Sequence, residues 1–138
     1  MLPQPVSTDS FTSQQAAKYF GSAGGSIINI SSSASTTKLA TASVYSATKA
    51  AVDAVTKSLA KELGSRKICV NSINPGMVET ERIQAGGIIG SDYQKQIEAQ
   101  TPLGRIGQPQ DIAPAPVFFA SSDSAWITRE TLHIAGGI

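Results

Sequence analysis

The run from Ala42 to Leu63 most constrains the fold of this chain. It is rich in alanine, and Val44, Ala47, Ala51, Ala54, Val55 and Leu59 recur at helical spacing. Gly64 is its natural stop. A short apolar run lies on each side of it, Ser26–Ile30 before and Ile68–Ile73 after. Both runs read as strands, and neither shows the polar alternation of a sheet with one wet face. Two such strands joined through a long helix predict parallel pairing and a right-handed crossover, with both sheet faces covered.

The other segments extend this pattern. Residues 1–10 read as irregular, with Pro3 and Pro5. A helix is predicted over Ser10–Phe20, with Thr12 and Gln15 as a capping box and Gly21 as its stop. Ser31–Thr41 reads as a Ser/Thr-rich loop, and Asn74-Pro75-Gly76 as a turn. Glu79–Gly90, with Gly86, Gly87 and Gly90, reads as flexible. Ser91 opens a short helix over Asp92–Gln100. Pro109 starts a helix running to about Ser121, with a kink at Pro114 and Pro116. Glu130–Ala135 is the third strand. The expected fold is α/β: about three parallel strands with flanking helices, in a single Rossmann-like domain over 1–138.

Composition narrows the function. Net charge is +1 and no Lys/Arg cluster occurs, which argues against a nucleic-acid partner. No apolar stretch reaches the roughly 18 residues needed to span a membrane. Met1–Ser10 is polar and does not read as a signal peptide. The single cysteine, Cys69, lies in the apolar run Ile68-Cys69-Val70, reads as a small buried residue and can form no disulfide within the chain. These features fit a cytoplasmic chain. No His/Cys/Asp/Glu spacing suggests a metal site. His133 reads as a structural or surface residue, and Trp126 as a packing residue rather than a substrate contact.

Chemistry concentrates at Ser32, Tyr45 and Lys49. Tyr45 and Lys49 are four residues apart on the long helix, and so share a face. An ammonium about 5 Å from a phenol, at an effective dielectric near 20, favours the phenolate by about 3 kcal/mol. A phenol so placed can pass a proton near neutrality. Ser32 precedes Tyr45 by thirteen residues, just past the Ser26–Ile30 strand. Its hydroxyl can hold a carbonyl oxygen. The three together suit reduction of a ketone or oxidation of an alcohol.

Several motifs in order carry a resemblance: Gly24-Gly25-Ser26-Ile27-Ile28-Asn29-Ile30-Ser31-Ser32, Tyr45-x-x-x-Lys49 and Val70-Asn71-x-x-x-Pro75-Gly76-x-Val78-x-Thr80. Pro102-Leu103-Gly104-Arg105-Ile106-Gly107, Asp111-Ile112-Ala113 and Ala135-Gly136-Gly137 complete it. From about Gln14 to Gly137 the chain resembles the C-terminal half of a short-chain dehydrogenase/reductase. It is most similar to the glucose-dehydrogenase-like and 3-oxoacyl-carrier-protein-reductase-like enzymes. The resemblance implies an NAD(P)-dependent oxidoreductase acting on a small carbonyl or alcohol substrate. It implies catalytic roles for Ser32, which orients the carbonyl, Tyr45, which passes the proton, and Lys49, which tunes Tyr45 and binds the nicotinamide ribose. It further implies that Tyr45, Lys49, Pro75, Gly76, Val78 and Thr80 contact NAD or NADP, and that Glu79–Tyr93 covers substrate.

The chain also departs from that pattern. No glycine-rich turn follows a strand and opens a helix, as a pyrophosphate cradle requires. Binding of NAD or NADP by this chain alone is therefore expected to be weak or absent. A non-catalytic, truncated remnant or interaction module is the alternative. The asparagine that the family uses in its proton relay has no counterpart before Asn29. Arg129 stands where the family has glycine, so a positive φ there would be strained. Pro116 stands at an aliphatic position. Half of a doubly wound sheet leaves the Ser26–Ile30 strand with an open edge, which predicts a homo-oligomer or association with another chain.

Overall fold

The computed structural model describes residues 6–138. Three parallel strands form one sheet in the order β1-β2-β3: β1 is Gly25–Ile30, β2 Ile68–Pro75 and β3 Thr131–Ile134. β1 and β2 pair from Gly25↔Ile68 to Ile30↔Ile73, and β2 and β3 from Ser72↔Thr131 to Pro75↔Ile134. The α/β class and the parallel pairing expected from sequence are both present.

Helix α1 (Val6–Ala17) precedes β1, and the short α2 (Ala34–Thr37) follows it. The crossover to β2 is α3, Ser43–Leu63. Its inward stripe is Val52, Asp53, Thr56, Leu59 and Ala60. These residues lie against the sheet face that carries Ile27, Ile68 and Val70, and Ala17 of α1 closes the cluster. Fully burying each large aliphatic side chain there contributes about 1.5–3 kcal/mol. The opposite face of β2 is tied to the segment before β3. Asn71 donates through Nδ2 to the Ile127 carbonyl (2.9 Å) and accepts from the Glu130 N–H (3.0 Å). The remaining helices are α4 (Glu81–Ala85), α5 (Asp92–Gln100), α6 (Pro109–Ile112) and α7 (Pro114–Ala120), and α7 packs on β1 and β2. β2 is buried on both faces, which accounts for its lack of polar alternation, whereas β3 buries none of its residues and Leu132 on it is exposed.

Several boundaries differ from expectation. α1 begins at Val6, so residues 6–10 are helical rather than irregular, and Thr12 and Gln15 lie inside the helix instead of capping it. Residues 1–5 lie outside the described residues. The Ser31–Thr41 loop contains α2, and the glycine-rich Glu79–Gly90 stretch contains α4. The predicted kinked helix is two helices that break at Ala113, before Pro114. Pro114 has no N–H to continue α6, and it starts α7 instead. Pro116 then falls in the first turn of α7, where N–H groups have no intrahelical partner, so its interior penalty does not arise.

Arg129 has φ +70°, and its N–H donates to the Val70 carbonyl at 2.8 Å. A side chain in this left-handed region is strained by about 1–2 kcal/mol, and glycine relieves that strain. Arg129→Gly is therefore expected to stabilise the fold by about 1 kcal/mol. The check is a urea unfolding midpoint that rises at unchanged slope.

Candidate functional site

The C-terminal ends of the three strands set the site. β1 ends at Ile30, and the chain stays close to β2 beyond it. The Ser31 N–H donates to the Ile73 carbonyl (2.8 Å), and the Ser33 N–H to the Pro75 carbonyl (2.9 Å). Ser31 Oγ donates to the Lys49 carbonyl at 2.9 Å, which docks the loop on α3. Ser32 sits between these anchors and is half-buried. Its Oγ accepts from the Ala34 N–H at 3.2 Å, so its own hydroxyl proton stays available for donation.

Tyr45 lies in the first turn of α3 and Lys49 in the next, both half-buried. Lys49 Nζ donates to the Ile30 carbonyl at 3.0 Å. This bond brings the ammonium to the end of β1, two residues before Ser32. Among the described residues, no hydrogen bond joins the Ser32 hydroxyl, the Tyr45 phenol and the Lys49 ammonium to one another, and the phenol has no partner.

The segment after β2 forms the other wall. Pro75 is the last residue of β2, and the Gly76 N–H donates to the Ile134 carbonyl at 3.0 Å. A Cβ on Gly76 would lie 2.9 Å from both Cα and Cβ of Ala135, so the approach of the two chain segments requires glycine. Val78 bridges to Gly107. The bonds of that bridge run from the Gly107 N–H to the Met77 carbonyl (2.8 Å) and from the Glu79 N–H to the Gly107 carbonyl (2.9 Å). The N–H and C=O of Val78 itself are therefore left without partners among the described residues. Thr80 is the N-cap of α4, its Oγ1 accepting from the Ile83 N–H at 3.4 Å. That side chain is engaged in holding a helix.

An ionic network ties this wall to α6. The Glu79 carboxylate accepts from Gln108 Nε2 (2.8 Å) and Gln84 Nε2 (3.0 Å), and these donors hold its carboxyl below the usual carboxylate range. Gln108 caps α6, its N–H donating to Asp111 Oδ2 at 2.7 Å. Arg105 forks onto both oxygens of Asp111, at 2.6 and 2.9 Å. A cavity of about 210 Å³ lies behind, lined by Met77, Ile97, Leu103, Ile106, Ile112 and Ile134 among others.

Sequence reasoning missed two buried residues beside the site, Asp53 and Asn74. Asp53 lies four residues beyond Lys49, on the stripe that carries Tyr45 and Lys49. A charged residue on an otherwise buried helix face was the available signal. Asn74 carried none, because Asn-Pro-Gly suggests an ordinary turn in sequence, whereas Asn74 and Pro75 are the last two residues of β2. Among the described residues, no three His, Cys, Asp or Glu side chains gather as metal ligands. No helix among them is long and apolar enough to cross a membrane.

The chain matches known proteins over nearly its whole length. A family model described as enoyl-(acyl carrier protein) reductase matches residues 5–138. The chain belongs to the short-chain dehydrogenase/reductase family. It is 49% identical over 125 residues to an uncharacterized oxidoreductase of Methylorubrum extorquens, covering 91% of this chain and 50% of that protein. It is 42% identical over 114 residues to the 3-oxoacyl-[acyl-carrier-protein] reductase FabG of Vibrio cholerae, covering 83% and 46%. Among solved structures, a short-chain type dehydrogenase/reductase from Mycobacterium ulcerans superposes with a TM-score of 0.88 at 30% identity, covering 94% of this chain and 47% of that one. A crystal structure from Agrobacterium tumefaciens with bound NADP superposes with a TM-score of 0.85 at 35% identity, covering 92% and 52%. The chain spans about half the length of the curated relatives it matches.

The acid behaviour of the α6 network follows from its geometry. Asp111 falls from an ordinary 3.8 to about 2, first through the Arg105 hydrogen bonds and then through the Gln108 N–H. A folded value below the unfolded one stabilises the fold fully above the unfolded value, and this contribution is lost as pH falls through the folded one. The contribution of Asp111 is thus complete above about pH 4 and disappears toward pH 2. Asp111→Asn is expected to flatten the fall in stability over that interval, as read from urea midpoints measured at steps from pH 5 to 2.

Proposed function

We propose that Ser32, Tyr45 and Lys49 are the proton-handling site of an NAD(P)-dependent oxidoreductase, one that moves a hydride between nicotinamide and a carbonyl or alcohol carbon. One observation carries this reading: the Lys49 ammonium is held at the Ile30 carbonyl, one helical turn from Tyr45 and two residues before Ser32. The membership of the oxidoreductase family supports it.

Each residue then has a distinct task. The free Ser32 hydroxyl proton donates to the substrate oxygen and fixes the carbonyl. Tyr45 gives its phenolic proton to that oxygen during reduction and takes it back during oxidation. Lys49 stabilises the phenolate left behind, and Ile30 keeps its ammonium from swinging into solvent. A bound nicotinamide supplies or accepts the hydride at the carbonyl carbon. The described residues fit its nicotinamide end. Val78 offers an unpartnered N–H and C=O, Gly76 and Pro75 offer a backbone without bulk, and Lys49 keeps two N–H donors for ribose hydroxyls. Thr80 Oγ1, although engaged as a cap, retains its hydroxyl proton for the carboxamide. The described residues do not fit the pyrophosphate. Among them no glycine-rich turn links a strand to a helix, so we expect weak binding of NAD or NADP by this chain alone.

A second reading, a non-catalytic interaction module, is favoured by the position of β1. Among the described residues it has β2 as its one neighbour, and an unpaired edge invites another chain. Self-association through that edge suits either reading. A cytoplasmic setting suits both as well, with Cys69 as a thiol.

Fluorescence titration with NADH and NADPH separates the two. Under the first reading, binding saturates below about 1 mM. Turnover of a 3-oxo ester then falls by about 10²–10⁴ in Tyr45→Phe, which keeps the ring and loses the proton. Turnover unchanged in that variant would overturn the assignment of Tyr45. Absence of saturation, together with a dimeric or larger species in gel filtration, is the outcome expected of the second reading.

A further inference from the structure

We infer that Asp53 is a positioning residue for Ser32, acting through the side-chain amide of Asn74. The inference rests on the proposed role of Ser32 in holding the substrate oxygen.

Asp53 is an unusual residue for its place. It is 9% exposed, on the sheet-facing stripe of α3. Among the described residues, no Lys, Arg or His nitrogen lies within 4 Å of its carboxylate. Lys49, four residues earlier on the same stripe, turns its ammonium to the Ile30 carbonyl instead. A buried carboxylate without a counter-charge is expensive unless hydrogen bonds replace its water. Here they come from two fixed donors. Ser72 Oγ donates to Oδ1 at 3.1 Å, and Asn74 Nδ2 donates to Oδ2 at 2.9 Å. Ser72 Oγ is itself 3.2 Å from Thr131 Oγ1 on β3, so the sheet pins the carboxylate from below.

Asn74 carries this anchoring across to the Ser32 loop. It is fully buried, and its Nδ2 faces three acceptors: Asp53 Oδ2, Ser35 Oγ at 2.9 Å and the Ser32 carbonyl at 3.2 Å. An amide nitrogen has two hydrogens. The charged acceptor takes one, and the loop shares the other. The carboxylate also decides which way the amide points. Turned over, Asn74 would press its oxygen against Asp53. In the observed orientation Oδ1 is buried without a partner, a penalty that the bond to a carboxylate offsets. Without Asp53, the turned amide could accept from the Ser35 hydroxyl through Oδ1. It would then withdraw its donor from the Ser32 carbonyl. Asp53 thus selects the amide orientation that holds the loop. Two groups on one helix stripe, Lys49 at the Ile30 carbonyl and Asp53 through Asn74 at the Ser32 carbonyl, fix the backbone on both sides of Ser31.

The test uses the whole chain with Asp53→Leu, Asp53→Asn, Ser32→Ala and the two double variants. Amide hydrogen exchange needs no turnover. Exchange at Ser33, Ala34 and Ser35 is expected to speed up about tenfold or more in Asp53→Leu, while the amides of β1 keep their protection. The Asn74 side-chain NH₂ resonances are expected to shift. Asp53→Asn can still accept from Asn74, and it should recover part of both effects. In turnover, Asp53→Leu should lower kcat about tenfold or more with the nicotinamide KM unchanged, and have little further effect in the Ser32→Ala background. Equal loosening of β1 and the loop, an unmoved Asn74 resonance, or losses that simply add would overturn the inference. If Asp53→Leu does not fold, Asp53→Asn decides, and an Asn74 resonance unmoved in that variant overturns the inference. If the wild-type chain shows no turnover, the proposed function fails. Exchange and the Asn74 resonance still decide whether Asp53 holds the loop.

Discussion

The parallel register of β1 on β2 is the constraint from which the rest of this structure follows. With Gly25 opposite Ile68 and Ile30 opposite Ile73, both strands end at one edge of the sheet. A parallel pair cannot be joined by a tight turn, so the chain must return through a crossover, and α3 provides it. That helix begins after the loop and α2 that follow β1, and the Ser31–Lys49 hydrogen bond docks the loop on it. Its first two turns therefore lie beside the loop after β1, and its later turns bury Leu59 and Ala60 against the strands. One stretch of chain supplies both a core face and the side chains that reach the strand ends. The segment after β2 arrives at the same edge because its register leaves it nowhere else to go.

The interior near that edge is more polar than the interior farther down. Ile27, Leu59, Ile68 and Val70 pack at the start of the strands, whereas Asn74, Ser35 and Asp53 meet at their ends. Asn29 is an intermediate case, accepting from Ser13 on α1 and donating to Thr56 on α3. An apolar end would be more stable but could not dictate the orientation of a loop. Directional hydrogen bonds can, because a buried donor misplaced by an ångström loses its partner outright. The Gly76–Thr80 wall follows the same logic on the surface, where Glu79, Gln108, Asp111 and Arg105 hold it by charge and geometry rather than by burial.

The elements read best from the sequence were those whose signal is local. The strands around Ile27 and Val70 and the helix from Ser43 to Leu63 stand within two residues of expectation, because apolar runs and helical periodicity record burial directly. The start of α1 was misread because Thr12 and Gln15 imitate a capping box, while the helix continues back to Val6. The single helix expected from Pro109 to Ser121 failed on one missing N–H, at Pro114. The strain at Arg129 could be anticipated only as a condition, since a φ angle belongs to the fold and not to the residue.

The sequence by itself determined the α/β class and the parallel crossover, through periodicity and apolar runs, and the family, through several motifs in order; it also singled out Ser32, Tyr45 and Lys49 as the set proposed for the site. The tertiary structure alone decided that Lys49 reaches the Ile30 carbonyl, that Thr80 caps α4 and that Asp53 meets Asn74. Those partners come from segments up to 21 residues apart, and a side chain's choice among acceptors depends on which of them the packed core brings within about 3 Å.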